Sequence, residues 1–443
     1  MALVRRHAPS FAFWCGPACF VVTAHPLDYE AVLTSRRFND KSSWYPMLRA
    51  ALGRGLIVLS GEPWRRHRKA VAPSLHQRVL AQNVQVFHRK ARDVSDELLG
   101  PAAATGAPLD IKGFCDLVSM DAVCETILSA DLSDDRDALK SFVDAKNDSC
   151  ALVARRVCRP WLLLDLVYAL TAEEREARRI EALTDRFVDE VIRRKRAERR
   201  DEGHADRQRS FLQHVLADSA AASLLSDEEL REEAKAMVIA GEGTVANALS
   251  FTLLMLAMHP DVQQAVQQEL QDVFGEDPGR GVTEHDLPHL ELLERVVLET
   301  LRLFPLVAVF LRHVAEDTAL PNFHMHRDPA WYPDPLRFDP DRFLPDQVRG
   351  RPPLSFAAFS AGPRSCIGQR YAIMYLKTVL STVLRRYEVH RAPGDTRTVA
   401  DLPVEIGVIL SLDGGFPVTV SRRRETATTR SAESDAHLET INK

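Results

Sequence analysis

Apolar and polar residues recur with two different periods along this chain. From Leu27 to about Leu320 the apolar positions mostly return every three or four residues, the spacing of amphipathic helices. The clearest such segment starts at Ser226, which can form a capping box with Glu229. Its apolar pattern runs to His259, where Pro260 stops it. About 32 residues at ~1.5 Å each predict a rod of roughly 48 Å. It is apolar on most sides between Ala236 and Met258, so it is expected to cross the core. Upstream, Thr171–Arg200 predicts a long charged helix running into a solvated loop, Asp201–Arg209. The basic run Arg193–Arg196 suits the C-terminal end of that helix dipole and reads as a solvated face.

Toward both ends the period changes. Phe11–Cys15 and Cys19–Thr23 read as strands separated by Gly16-Pro17. Proline, aspartate and aromatic residues crowd Asp328–Pro345 into a coil with no helical period. A helix is expected from about Gly368 to Tyr387. Beyond it, Asp413-Gly414-Gly415 predicts a hairpin turn between Val408–Leu412 and Phe416–Val420. Glu425–Lys443 is polar and reads as a disordered tail. The fold class is mostly α with a small β region, around one long central helix. No internal repeat is present.

Composition adds limits. With 443 residues, 45% hydrophobic, the chain can bury a core large enough to enclose an organic cofactor. A net charge of -5 gives no reason to expect nucleic-acid binding. The 7 cysteines are odd in number and irregularly spaced, which fits a reduced intracellular protein. No uninterrupted apolar stretch reaches the ~18 residues that cross a bilayer. Arg5-Arg6 before an apolar run faintly resembles a signal peptide, but Gly16-Pro17 splits that run.

Three constellations bear chemistry. In Phe359-Ser360-Ala361-Gly362-Pro363-Arg364-Ser365-Cys366-Ile367-Gly368, a lone cysteine sits in a Gly/Pro loop just before a helix. The helix terminus there favours a thiolate. Thiolate is the haem ligand that pushes electrons toward O–O cleavage, whereas the commoner fate of one cysteine is a buried structural thiol. Glu299 and Arg302 share a helix face and can pair, as many surface residues do. In Ala240-Gly241-Glu242-Gly243-Thr244, each helix-interior glycine costs about 1 kcal/mol against alanine. Either close helix packing or a small cleft accounts for them.

The cysteine decapeptide satisfies the cytochrome P-450 loop pattern, and the chain resembles that superfamily from about Phe11 to Arg422. Within it, Asp40-Lys41-Ser42, the run Gly61–Lys69 and Phe359–Gln369 are most similar to animal fatty-acid terminal hydroxylases and their insect relatives. The resemblance implies one haem-thiolate monooxygenase domain over residues 1–422, with a disordered tail at 423–443. It implies haem b with Cys366 as the iron ligand. Trp64 and Arg68, in a WxxxR pattern, would face the haem propionates, with Arg364 and Arg312 as further partners. Glu299, Arg302 and Arg342, the last in Pro340-Asp341-Arg342-Phe343, would form a buried structural network. Gly241 and Thr244 would be the catalytic positions on the central helix over the haem. The acid usually found before that threonine is replaced by Gly243, and Glu242 lies one residue earlier, turned by about 100°. Ala240 stands where some relatives carry a glutamate bound covalently to haem, so no ester is expected.

The implied reaction inserts one oxygen atom from O2 into a small hydrophobic substrate. Electrons would come from NADPH through a separate flavoprotein reductase, with cytochrome b5 as a second donor. Arg65, Arg66 and Lys69 would form a basic docking face for that partner. The implied location is the cytosolic face of the endoplasmic reticulum membrane, although this chain shows no transmembrane segment. The family's N-terminal membrane helix, proline hinge and first helix are missing, as expected of a truncated gene. Roughly a dozen residues of a strand pair are also short between Asp317 and His326, bridged by Asn322 and Phe323, which should expose a sheet edge and weaken the pocket floor. Two rival readings follow: a reductase-independent haem-thiolate isomerase or dehydratase, and an inactive product of a damaged gene. His324-Met325-His326 reads as ordinary loop sequence rather than a metal site.

Overall fold

The computed structural model describes residues 10–15, 18–23, 26–42, 44–201, 210–217, 223–277, 279–309, 311–313 and 326–423. Its longer helices are α1 (Pro26–Thr34), α2 (Gly61–Val71), α3 (Gln77–Val94), α4 (Ile111–Leu128), α5 (Arg136–Cys158), α6 (Ala172–Asp201), α7 (Asp227–Met258), α8 (Pro260–Phe274), α9 (Glu291–Leu303) and α10 (Gln369–Leu384). The strands are β1 (Ser10–Cys15), β2 (Ala18–Thr23), β3 (Leu109–Asp110), β4 (Tyr387–Arg391), β5 (Val404–Ile406), β6 (Leu410–Leu412) and β7 (Pro417–Arg422). The expected solvated loop after α6, the Gly16-Pro17 turn, the shortened stretch before His326 and the C-terminal tail lie mostly or wholly outside the described residues.

The axis of the molecule is α7. Ser226 and Glu229 close a reciprocal capping box at its start. Its 32 residues pack along α4 on one side and against α6, α9 and α10 elsewhere. By length and composition α7 could cross a membrane, but 78% of its apolar window is buried inside the fold, which makes it a core helix. Phe251 of α7 stacks on Phe304 at 4.4 Å and meets Phe416 edge-on at 4.8 Å. Burying each such ring contributes about 1.5–3 kcal/mol, so this trio ties the central helix to the end of α9 and to the C-terminal strands.

Strand pairing follows the sequence pattern at one end and departs from it at the other. β1 and β2 pair antiparallel, Ser10 opposite Thr23. The expected hairpin across Asp413-Gly414-Gly415 does not form. β6 pairs instead with β5, and β7 joins a sheet of order β3-β7-β4. The glycines, at φ +80° and +77°, turn the chain out of one sheet and into the other. Asp110 captures the exit: its Oδ1 accepts the Phe416 amide at 3.0 Å. A side chain on Gly415 would stand 2.3 Å from Asp110 Oδ2, so only glycine can pass.

Candidate active site

Backbone constraints shape the loop of Cys366. Gly362 adopts φ +66°, and a side chain there would lie 2.1 Å from the Leu33 carbonyl oxygen. The Cys366 amide donates to the Phe359 carbonyl at 2.8 Å. Three residues later α10 begins. Cys366 is exposed, although protein crowds it on most sides, so it opens into a recess. Burial raises its pKa, while the Gly368 amide and Arg68 pull it back. The sequence predicts a thiolate favoured by the helix terminus. In the free protein burial outweighs that effect, and a bound metal ion is what would hold the sulfur deprotonated.

Cations gather beside this loop. Arg364 is buried; its Nε and Nη1 donate to the carbonyl oxygens of Asn39 and Leu59 at 2.9 and 2.8 Å. Its Nη2 is buried with no hydrogen-bond partner. The guanidinium lies 4.0 Å from the ring centre of buried Trp64. Arg68 lies 5.8 Å from the same ring and donates to the Ser365 carbonyl at 3.2 Å. Lys41, whose ammonium donates to the Tyr45 hydroxyl at 3.1 Å, joins the group. Burial, then the charges of Arg312 and Arg364, lower Lys41 to about 7. Burial, then Arg312, holds Arg364 at about 10, with Asp40 offsetting part of this. Burial also lowers Arg312 and Arg68. Like charges held together with an orphaned donor form a site for an anion. The paired carboxylates of haem suit this set, and the neighbouring sulfur suits its iron. Lys41 lies in a segment of the sequence resemblance and Tyr45 outside it, and sequence reasoning singled out neither as a binding residue. Their signal is positional, since only the fold brings Lys41 and Tyr45 near Arg312 and Arg364.

Behind the recess, Glu299 and Arg302 are fully buried. Arg302 donates through Nε and Nη2 to the two oxygens of Glu299 at 2.7 and 2.8 Å. Its Nη1 holds the carbonyls of His326 and Pro335 at 2.8 and 2.9 Å. The Asp339 amide reaches Glu299 at 2.9 Å, and Arg342 Nε lies 3.5 Å away. His326, which the sequence leaves as plain loop, belongs to this frame. Its Nε2 accepts the Ala357 amide at 2.9 Å. Burial first, then Arg302 and Arg327, lower its pKa to about 3, so the ring stays neutral and accepting. His324 and Met325 lie outside the described residues.

On α7, the partly open positions Met237, Ala240, Gly241 and Thr244 share one face at helical spacing. The Thr244 hydroxyl donates to the Ala240 carbonyl at 2.7 Å. A side chain on Gly241 would meet a Val123 methyl at 3.3 Å, so this glycine also lets α4 approach α7. Glu242 is fully buried and bonded to Lys146 of α5. The expected basic docking face is smaller than the sequence suggests. Arg66 is committed to Glu229 at 2.8 Å and to the Leu224 carbonyl, fastening α2 to the start of α7. Arg65 pairs with exposed Glu62, and Lys69 is exposed.

Residues 1–411 match the family described as Cytochrome P-450. The chain is 32% identical over 447 residues to cytochrome P-450 4V2 of Homo sapiens, covering 94% of this chain and 83% of that protein. It is 31% identical to cytochrome P-450 4c3 of Drosophila melanogaster, covering 93% and 81% respectively. A crystal structure of a cytochrome P-450 (CYP102L1) superposes with a TM-score of 0.78 at 20% identity, covering 96% of this chain and 97% of that one, a likeness of fold alone. The chain therefore belongs to the cytochrome P-450 family, with its mostly helical fold and haem-thiolate cofactor, and is a monooxygenase.

Proposed function

We propose that this enzyme inserts one atom of O2 into a small hydrophobic substrate, namely a fatty acid, another lipid or a xenobiotic. Its electrons come from NADPH through a separate flavoprotein reductase, with cytochrome b5 as a second donor. The observation that carries the reading is an open recess at Cys366 beside a cluster of cations, Arg68, Arg312 and Arg364, in which the buried Arg364 Nη2 has no hydrogen-bond partner. Cys366 is the iron ligand. Trp64, Arg68, Arg312 and Arg364 hold the propionates, with Lys41 among them. When bound, haem supplies the oxygen-activating chemistry. Gly241 and Thr244 border the cleft, and the Thr244 hydroxyl passes protons into it. Glu299, Arg302 and Arg342 keep the chain behind the haem rigid. The whole unit is one catalytic domain over residues 1–422, followed by a tail at 423–443.

Docking at the cytosolic face of the endoplasmic reticulum membrane is part of the same proposal. It is supported by a run of exposed apolar side chains near the end of α5, where Trp161 is 60%, Leu166 85% and Leu170 87% exposed. Such a patch suits a lipid surface better than water.

The ligand assignment is tested by Cys366→Ala. The wild type should show the red-shifted Soret band of a reduced thiolate carbonyl complex, and the variant should lose it completely. Replacing buried Cys115 or Cys124 should change nothing. A normal thiolate spectrum in Cys366→Ala would overturn the assignment.

A further inference from the structure

We propose that Glu233, early in α7, is a positioning residue for the haem site: one of its oxygens fixes both the loop 54–60 and α2, and so aims Arg364, Trp64 and Arg68; this rests on the propionate reading above. Glu233 Oε2 lies 2.6 Å from His67 Nδ1 and accepts the Leu56 amide at 2.9 Å. A carboxylate only accepts, so Nδ1 carries the proton. Glu233 is fully buried and His67 is 2% exposed. The other oxygen, Oε1, is buried with no hydrogen-bond partner. Gly55 lets the loop come this close. A side chain there would stand 2.9 Å from Glu233 Oε2 and 2.8 Å from the Ala236 β-carbon.

Both segments that Glu233 holds run on to the propionate groups. Three residues after Leu56, the Leu59 carbonyl accepts Arg364 Nη1 at 2.8 Å. The next hydroxyl oxygen, that of Ser60, accepts the Lys41 amide at 2.9 Å. On α2, His67 directly precedes Arg68 and follows Trp64 by three residues, so the three side chains share one side of the helix. Arg68 reaches the Ser365 carbonyl, and the Arg364 guanidinium rests against the Trp64 ring. The neighbouring carboxylates of α7 hold one segment each. Glu232 takes the loop through the Arg54 amide at 2.9 Å. Glu229 takes α2 through Arg66 and, at 3.6 Å, His67 Nε2.

A buried carboxylate shared by two donors is a stiff joint, because charge-assisted hydrogen bonds are about twice as strong as neutral ones. Its loss leaves the His67 ring and the Leu56 amide without their partner in the dry interior. The loop and α2 then settle separately. Arg364 loses no bond of its own; what changes is where Leu59 and Trp64 place it. Glu233 touches no cofactor atom and acts through these residues.

The haem-loaded protein is read in two ways: by the resonance Raman bending bands of the propionates, which report their hydrogen bonds, and by competition for haem with apomyoglobin. Glu233→Ala should shift the bands in the direction that Arg68→Ala and Arg364→Ala shift them. It should also weaken haem binding about 10–100-fold, the range for losing a group that orients a ligand. Glu233→Gln keeps an acceptor oxygen in the same place and should restore both readings to the wild type. His67→Leu spares the Leu56 bond and should give a smaller shift in the same direction; it supplies the test if Glu233→Ala does not fold. A role confined to stability would lower the urea midpoint and leave the bands in place. Wild-type bands in folded Glu233→Ala, or in His67→Leu, overturn the proposal. If Arg68→Ala and Arg364→Ala themselves leave the bands unmoved, the propionate reading fails instead.

Discussion

Arg302 and Arg364 are both buried arginines near the same recess, and they live in opposite electrostatic settings. Arg302 is saturated. Two of its nitrogens grip Glu299, and the Pro335 and His326 carbonyls take a third. Arg364 has two carbonyl partners, an orphaned nitrogen, and Arg312 and Lys41 for neighbours. A satisfied buried charge rigidifies a fold, whereas an unsatisfied cluster raises the energy of the empty protein until an anion arrives. The contrast sets a saturated buried arginine apart from one with hydrogen-bonding capacity to spare.

Breaking the saturated network should have the largest effect. Glu299→Ala leaves Arg302 buried and unpaired, at a cost of about 3–5 kcal/mol. We expect a collapse of the urea midpoint in apoprotein and holoprotein alike. A wild-type midpoint would show that the pair contributes nothing to the scaffold.

Arg364→Ala should invert that pattern. Apoprotein stability should change little, because lost hydrogen bonds are offset by relief of repulsion. Haem affinity should fall on the order of 30-fold, the ~2 kcal/mol lower bound for losing a buried charged partner. Competition for haem with apomyoglobin measures this, and unchanged affinity would remove Arg364 from the propionate site.

The smallest and most diagnostic effect is a pH slope. Lys41 is lowered from 10.5 to about 7 in the folded chain. A base with a depressed folded pKa is more readily protonated when unfolded, so its contribution to stability is whole above 10.5 and is lost as pH falls toward 7. Apoprotein stability should therefore rise between pH 7 and pH 10 with a component that Lys41→Met abolishes. In holoprotein the carboxylates of haem should flatten the same slope. An identical slope in wild type and Lys41→Met apoprotein would place Lys41 outside the cluster.

The sequence by itself determined the local elements and set Cys366 in its glycine-proline loop ahead of a helix. The capping box at Ser226, the stop at Pro260, and the Gly/Pro loop around Cys366 are written in neighbouring residues, because caps, breaks and tight turns are set by local backbone chemistry. The 3-residue spacing of Glu299 and Arg302 was legible for the same reason. What the tertiary structure decided were choices between distant partners. Asp413-Gly414-Gly415 reads as a hairpin, and only Asp110, some 300 positions earlier, diverts β7 to another sheet. Arg66 reads as a free surface charge until Glu229 takes it. His326 reads as loop until the Ala357 amide and Arg302 enclose it. Lys146 carries no motif, and only the fold brings its ammonium to Glu242 and within 3.3 Å of where a side chain at Gly243 would begin. Charge burial and strand partnership are properties of the space a side chain ends up in, and that space is built from segments that lie far apart in the chain.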